Sequence, residues 1–142
     1  MSLELIFAAA NAIVLPAWVL LLAAPGWRWT RRVAAVVTPS LLSMVYVYFF
    51  LLQFRVLGGS FTTLAQVSRL FSVPTVVLAG WIHYLAFDLF VGSWMARDGL
   101  ERQIPRLVMI PCLLLTLMLG PLGLLVYRAI RWSRTGEVWE AE

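Results

Sequence analysis

Four apolar runs of about twenty residues each, separated by short polar or basic stretches, organise this chain. The first extends from about Leu3 to Ala24 and is closed by Pro25-Gly26. The second, about Val33 to Phe54, carries Pro39 early and the aromatic segment Tyr46-Val47-Tyr48-Phe49-Phe50, and Gln53 and Arg55 mark its exit. The third covers about Thr75 to Met95. The fourth, about Leu107 to Arg128, contains Pro111 and Gly120-Pro121-Leu122-Gly123. A helix rising about 1.5 Å per residue crosses about 30 Å of hydrocarbon in such a length. Between the second and third runs, Ser60 to Phe71 sets Phe61, Leu64, Ala65, Val67 and Leu70-Phe71 near helical spacing among polar residues. That pattern predicts a short amphipathic surface helix, with Gly58-Gly59 as the break before it. The expected architecture is all-α. It is an integral membrane four-helix bundle with that surface helix between spans two and three, a single domain over residues 1–142, kinked in the fourth span where proline and glycine free backbone groups.

Composition supports the membrane reading. Of 142 residues, 62% are hydrophobic and 13% charged, and a mean hydropathy of +0.88 lies outside the soluble balance. The basic side chains are eleven arginines and no lysine, placed at the ends of the apolar runs. With Trp27 and Trp29 among Arg28, Arg31 and Arg32, this reads as an interface belt in contact with lipid headgroups, and not as a nucleic-acid surface. Four crossings would put both termini on one side, with five arginines there and six opposite, so the charge count does not orient the chain. Glu4 and the lack of a basic residue ahead of the first run argue for a retained span instead of a cleaved signal. The lone Cys112 can form neither an intramolecular disulfide nor a cysteine metal cluster, and is read as packing.

The chemistry is expected in the third run, Gly80-Trp81-Ile82-His83-Tyr84-Leu85-Ala86-Phe87-Asp88-Leu89-Phe90, which holds the single histidine and an aspartate. An ionisable group at membrane depth costs about 3 kcal/mol on insertion scales, so it has a partner or a function. Five residues separate His83 from Asp88, about 140° of rotation, so they do not share a helix face. A metal site would need ligands from a second copy, since there is no other histidine, and none is expected. On the His83 side lie Phe87, Phe90 and Trp94; on the Asp88 side lie Trp81 and Tyr84. The aromatic stripe reads either as ordinary packing or as the wall of a lipid-accessible cavity for a flat conjugated ligand, with His83 its central polar group. Asp88 is either such a site residue or part of a structural pair with Arg55, Arg97 or Asn11. His83 could equally bond Ser43, Thr116 or a carbonyl. Asn11, inside the first span, either touches a ligand or joins helices.

Taken together, Trp81-Ile82-His83, Leu85 and Asp88-Leu89-Phe90, then Asp98-Gly99-Leu100, Gln103-Ile104, Gly120-Pro121 and Gly123, resemble the neoxanthin synthase family of plant abscisic-acid biosynthesis and its bacterial relatives. Agreement extends upstream to Val14-Leu15-Pro16, Pro25, Thr30, Tyr46-Val47-Tyr48 and Phe71-Ser72. The resemblance implies a carotenoid or other isoprenoid lipid as ligand. The family reaction it implies is the isomerisation of violaxanthin to neoxanthin, in which an epoxide opens to an alcohol while a vinylic proton leaves to give an allene. That needs an acid and a base and no redox cofactor. It makes His83 and Asp88 the catalytic candidates, with Asn11, Trp81, Tyr84, Phe87, Phe90 and Trp94 against the substrate. The lysine-free usage suggests a bacterial inner membrane, where the plant relatives occupy plastid membranes. The other reading is a non-catalytic membrane protein that binds such a lipid or assists a partner enzyme; a homo-oligomer is compatible with either.

Overall fold

The computed structural model describes residues 2–57 and 61–136, and all regular elements among them are helical. Helix α1 (Leu3–Ala23) starts at Ser2, whose hydroxyl accepts the Leu5 N–H, and its last carbonyls are capped from outside the helix. The Arg106 guanidinium donates to Leu22 O and Ala23 O, and the buried Thr30 hydroxyl donates to Ala24 O at 2.7 Å. These contacts supply the donors that a helix C-terminus lacks.

The short α2 (Arg28–Arg31) runs through a π-helical segment, Arg32–Val37, into α3 (Thr38–Leu57). The wide turn has a local cause. Pro39 has no N–H to offer the preceding turn, and the Thr38 N–H reaches back five residues to Val33 O. Helix α4 (Leu64–Leu70) is shorter than the Ser60–Phe71 expected for the surface helix; a capping box between Thr63 and Gln66 fixes its start, and none of its residues is buried. Ser60 and the Gly58-Gly59 break lie outside the described residues.

Helix α5 (Pro74–Glu101) is the hub, in contact with α1, α3, α6 and α7. At 28 residues it is about 42 Å long, more than a bilayer core requires. It therefore absorbs Arg97–Glu101, which the hydropathy pattern assigns to a connection. Small residues let its neighbours approach: a Cβ on Gly92 would lie 2.5 Å from the Trp18 ring of α1, and one on Gly99 would lie 2.7 Å from the Met109 sulfur of α6.

The fourth apolar run departs from the expected single kinked span. It forms α6 (Arg106–Leu119) and α7 (Pro121–Thr135), separated by Gly120 at φ +34°. The two helices fold back on each other so closely that a Cβ on Gly123 would sit 2.3 Å from the Thr116 nitrogen. Helix α7 then returns along α5, since Gly120 lies against Asp88 whereas Tyr127 and Arg131 reach Asp98. At 14 and 15 residues each arm is about 21–23 Å long, short of a crossing. Among the described residues, three helices are long and apolar enough to cross a membrane, Leu3–Ala23, Arg28–Gln53 and Pro74–Glu101. The fourth apolar run is thus a helical hairpin.

Candidate functional site

Helix α5 presents two different flanks. On one, the Trp81 indole N–H donates to Asn11 Oδ1 at 3.2 Å, while the Asn11 amide donates to Phe7 O at 2.8 Å. The Trp81 ring lies 5.5 Å from those of Phe7 and Tyr84. One turn further, the Tyr84 hydroxyl stands beside the Asp88 side chain and within 3.4 Å of Leu117 O on α6. Four of the expected site residues, Asn11, Trp81, Tyr84 and Asp88, thus form a continuous line from α1 to the α6–α7 turn.

Asp88 ends that line in an unusual setting. It is half-buried, and its Oδ2 is buried with no hydrogen-bond partner among the described residues. Gly120 lies directly against the carboxylate, where a Cβ would come within 2.5 Å of Oδ1 and 2.9 Å of Oδ2. The residue opposite Asp88 must therefore be glycine for two reasons, its positive φ and its lack of a side chain. The carboxylate faces the first turn of α7, where the helix dipole favours negative charge. None of the basic or amide partners weighed from sequence is seen there: Asn11 is engaged with Phe7 and Trp81, Arg97 pairs with Glu101 at 3.6 Å, and the Arg55 side chain is outside the described residues.

His83 occupies the other flank. It is exposed, its ring stacked on Phe87 at 4.5 Å and tilted against Tyr46 of α3 at 5.4 Å; Tyr46 in turn stacks on Phe50 at 5.9 Å. Phe87 and Phe90 are more than half exposed. The expected cavity around His83 is a correction: α3 covers only one side of the imidazole, leaving an open aromatic surface. Trp94, further along the same helix, meets Tyr127 of α7 edge-on at 5.7 Å. One apolar groove, about 440 Å³, runs between α1 and α3 along Ile13, Leu41, Val45 and Tyr48, and another, about 460 Å³, lies beside Phe7, Val77, Leu78 and Trp81. Among the described residues, no three His, Cys, Asp or Glu side chains converge as a metal site would require.

Sequence reasoning missed a third polar centre. Asp98 is 3% exposed and accepts from Arg102 Nε at 2.9 Å, from Arg131 Nε at 3.0 Å and from the Tyr127 hydroxyl; Arg131 is itself 1% exposed. The available signal was spacing. Asp98 and Arg102 are four apart, as are Tyr127 and Arg131, so each pair shares a helix face.

The profile of the ABA DEFICIENT 4-like family matches residues 5–127, which takes in the whole line from Asn11 to Gly120 and ends on Tyr127. The chain belongs to this family. It is 28% identical over 134 residues to the protein ABA DEFICIENT 4, chloroplastic, of Arabidopsis thaliana. The match covers 88% of this chain and 61% of that relative, so the chain spans about three-fifths of the relative's length. No solved structure matches. Within the ABA DEFICIENT 4-like match, the Asp88 carboxylate and Gly120 belong to one contact made by two distant stretches of sequence.

Proposed function

We propose that this protein is a membrane-embedded isomerase of a carotenoid or related isoprenoid lipid, using acid–base chemistry without a redox cofactor. The observation that carries the reading is the buried, unpartnered Oδ2 of Asp88 beside the Tyr84 hydroxyl. A carboxyl held at that depth with no charged partner among the described residues is expensive as structure and useful as a proton carrier. Opening an epoxide to an allenic alcohol moves one proton onto oxygen and removes one from a vinylic carbon. The hydroxyl–carboxyl pair offers both functions within one helical turn. His83 remains the other proton-handling candidate. It projects from the opposite flank, so an end ring seated at Asp88 does not also reach it, and its stack with Phe87 and Tyr46 offers a face for a conjugated chain. In this reading the α6–α7 hairpin re-enters the membrane and carries Gly120 to the depth of Asp88, in what the residue usage suggests is a bacterial inner membrane.

The test is conversion of violaxanthin to neoxanthin by the protein reconstituted in liposomes, followed by chromatography. Asp88→Asn is expected to retain bound pigment and lose turnover. His83→Ala separates the two candidates: full activity assigns His83 to the binding face. The alternative reading is a non-catalytic carotenoid-binding protein, favoured by the Asn11–Trp81 bond, which joins helices and needs no ligand. Pigment retained by the wild type without conversion, in the presence of the full set of end-ring epoxides, would establish that alternative.

A further inference from the structure

The hairpin changes the distribution of charge. Because α7 returns along α5, its three arginines join Arg106, the two near the end of α5 and Arg28, Arg31 and Arg32 of α2 and the segment after it, so nine of the eleven lie toward one end of the bundle. Four are committed to polar partners: Arg102 and Arg131 hold Asp98, Arg106 caps α1, and Arg97 pairs with Glu101. Arg28 and Arg31 are exposed, and no carboxylate lies within ion-pair distance of either among the described residues.

Both line a cavity of about 330 Å³ between the α1–α2 turn and the end of α5, which Arg97 and Glu101 also border. Those four side chains leave it two positive charges in excess. A second, apolar cleft of about 110 Å³ between α1, α5 and α6 shares Leu21, Pro25, Ala96 and Leu100 with its wall and continues along Met109 and Leu113. Trp27 is 52% exposed beside the cavity, and Trp29, under the guanidinium groups of Arg28 and Arg32 at 5.4 and 5.0 Å, is 41% exposed. Indole rings at this position mark headgroup depth.

We infer that this pair of clefts is a binding site for an anionic phospholipid, with the phosphodiester on Arg28 and Arg31 and an acyl chain in the apolar cleft. Guanidinium forks match phosphate oxygens bidentately, and the adjoining apolar wall distinguishes a lipid from free phosphate. The same end carries the arginine excess that faces the cytoplasmic leaflet, where anionic lipids concentrate.

Delipidated protein in detergent, titrated with phosphatidylglycerol or phosphatidylcholine and read by native mass spectrometry, tests this. The wild type should retain phosphatidylglycerol about 30-fold more strongly than phosphatidylcholine, as expected for two arginines at a lipid surface. Arg28→Ala/Arg31→Ala should abolish the preference, and Arg69→Ala, at the other end, should leave it intact. The single substitutions Arg28→Gln and Arg31→Gln should each give a smaller loss of the same sign, which keeps the test usable if the double variant does not fold. Equal retention of the two lipids, an unchanged preference in the double variant, or displacement of the lipid by excess inorganic phosphate would overturn the assignment.

Discussion

Asp88 and Asp98 lie ten residues apart on α5, both against the α6–α7 hairpin, and are treated in opposite ways. Asp98 receives two guanidinium groups and a phenol, Arg102 from the end of its own helix and Tyr127 and Arg131 from α7, so that α5 and α7 are locked together. Asp88 receives a glycine and one neighbouring hydroxyl. The difference follows from what the hairpin can present at each depth. Its open end carries Tyr127 and the buried Arg131, which reach Asp98; its tip, at Gly120, leaves no room for a side chain against Asp88. A carboxylate at the open end becomes structure, and one at the tip is left with unused hydrogen-bonding capacity.

The comparison breaks most sharply at Asp98. Replacing it by alanine strands the buried Arg131, and loss of one partner of a buried pair typically costs about 3–5 kcal/mol. The thermal midpoint of the detergent-solubilised protein should fall steeply, and Asp98→Ala should yield little folded material. A variant as stable as wild type would mean that the cluster is not structural.

Gly120→Ala comes next. It places a methyl within 2.5 Å of the Asp88 carboxylate at a positive φ, and overpacking with strain costs about 1–3 kcal/mol. Combining it with Asp88→Ala should restore part of the loss, since contacting residues do not behave additively. Purely additive losses in the double variant would show that the contact is not what holds the tip.

Asp88→Asn should change stability by less than about 1 kcal/mol, because it removes no charged partner. Turnover, not unfolding, is where its effect belongs, and the contrast with Asp98→Ala is the clearest separation of the two centres. The smallest effect is expected for Asn11→Ala, which removes the Trp81 bond; interhelical polar contacts in membranes average about 0.6 kcal/mol. A shift of several kcal/mol would make Asn11 a structural key of the bundle.

Much of this was written in local sequence. Apolar length locates the three helices among the described residues that are able to cross a membrane, but it also expects a fourth crossing where the chain forms two short helices. The five-residue interval between His83 and Asp88 puts them on different flanks, and Gly120-Pro121 marks the place where a helix must break. Local propensity specifies that break but not its angle. Whether the chain bends by a few degrees or reverses depends on Gly123 seating on Thr116 and on α7 finding a groove along α5, contacts between residues that the pattern does not rank. From that reversal come the burial of Asp98 by Tyr127 and Arg131, the close approach of Gly120 to Asp88, and the gathering of arginines at one end. Helix formation answers to neighbours within four residues, whereas the direction of the returning arm is fixed only when distant surfaces pack.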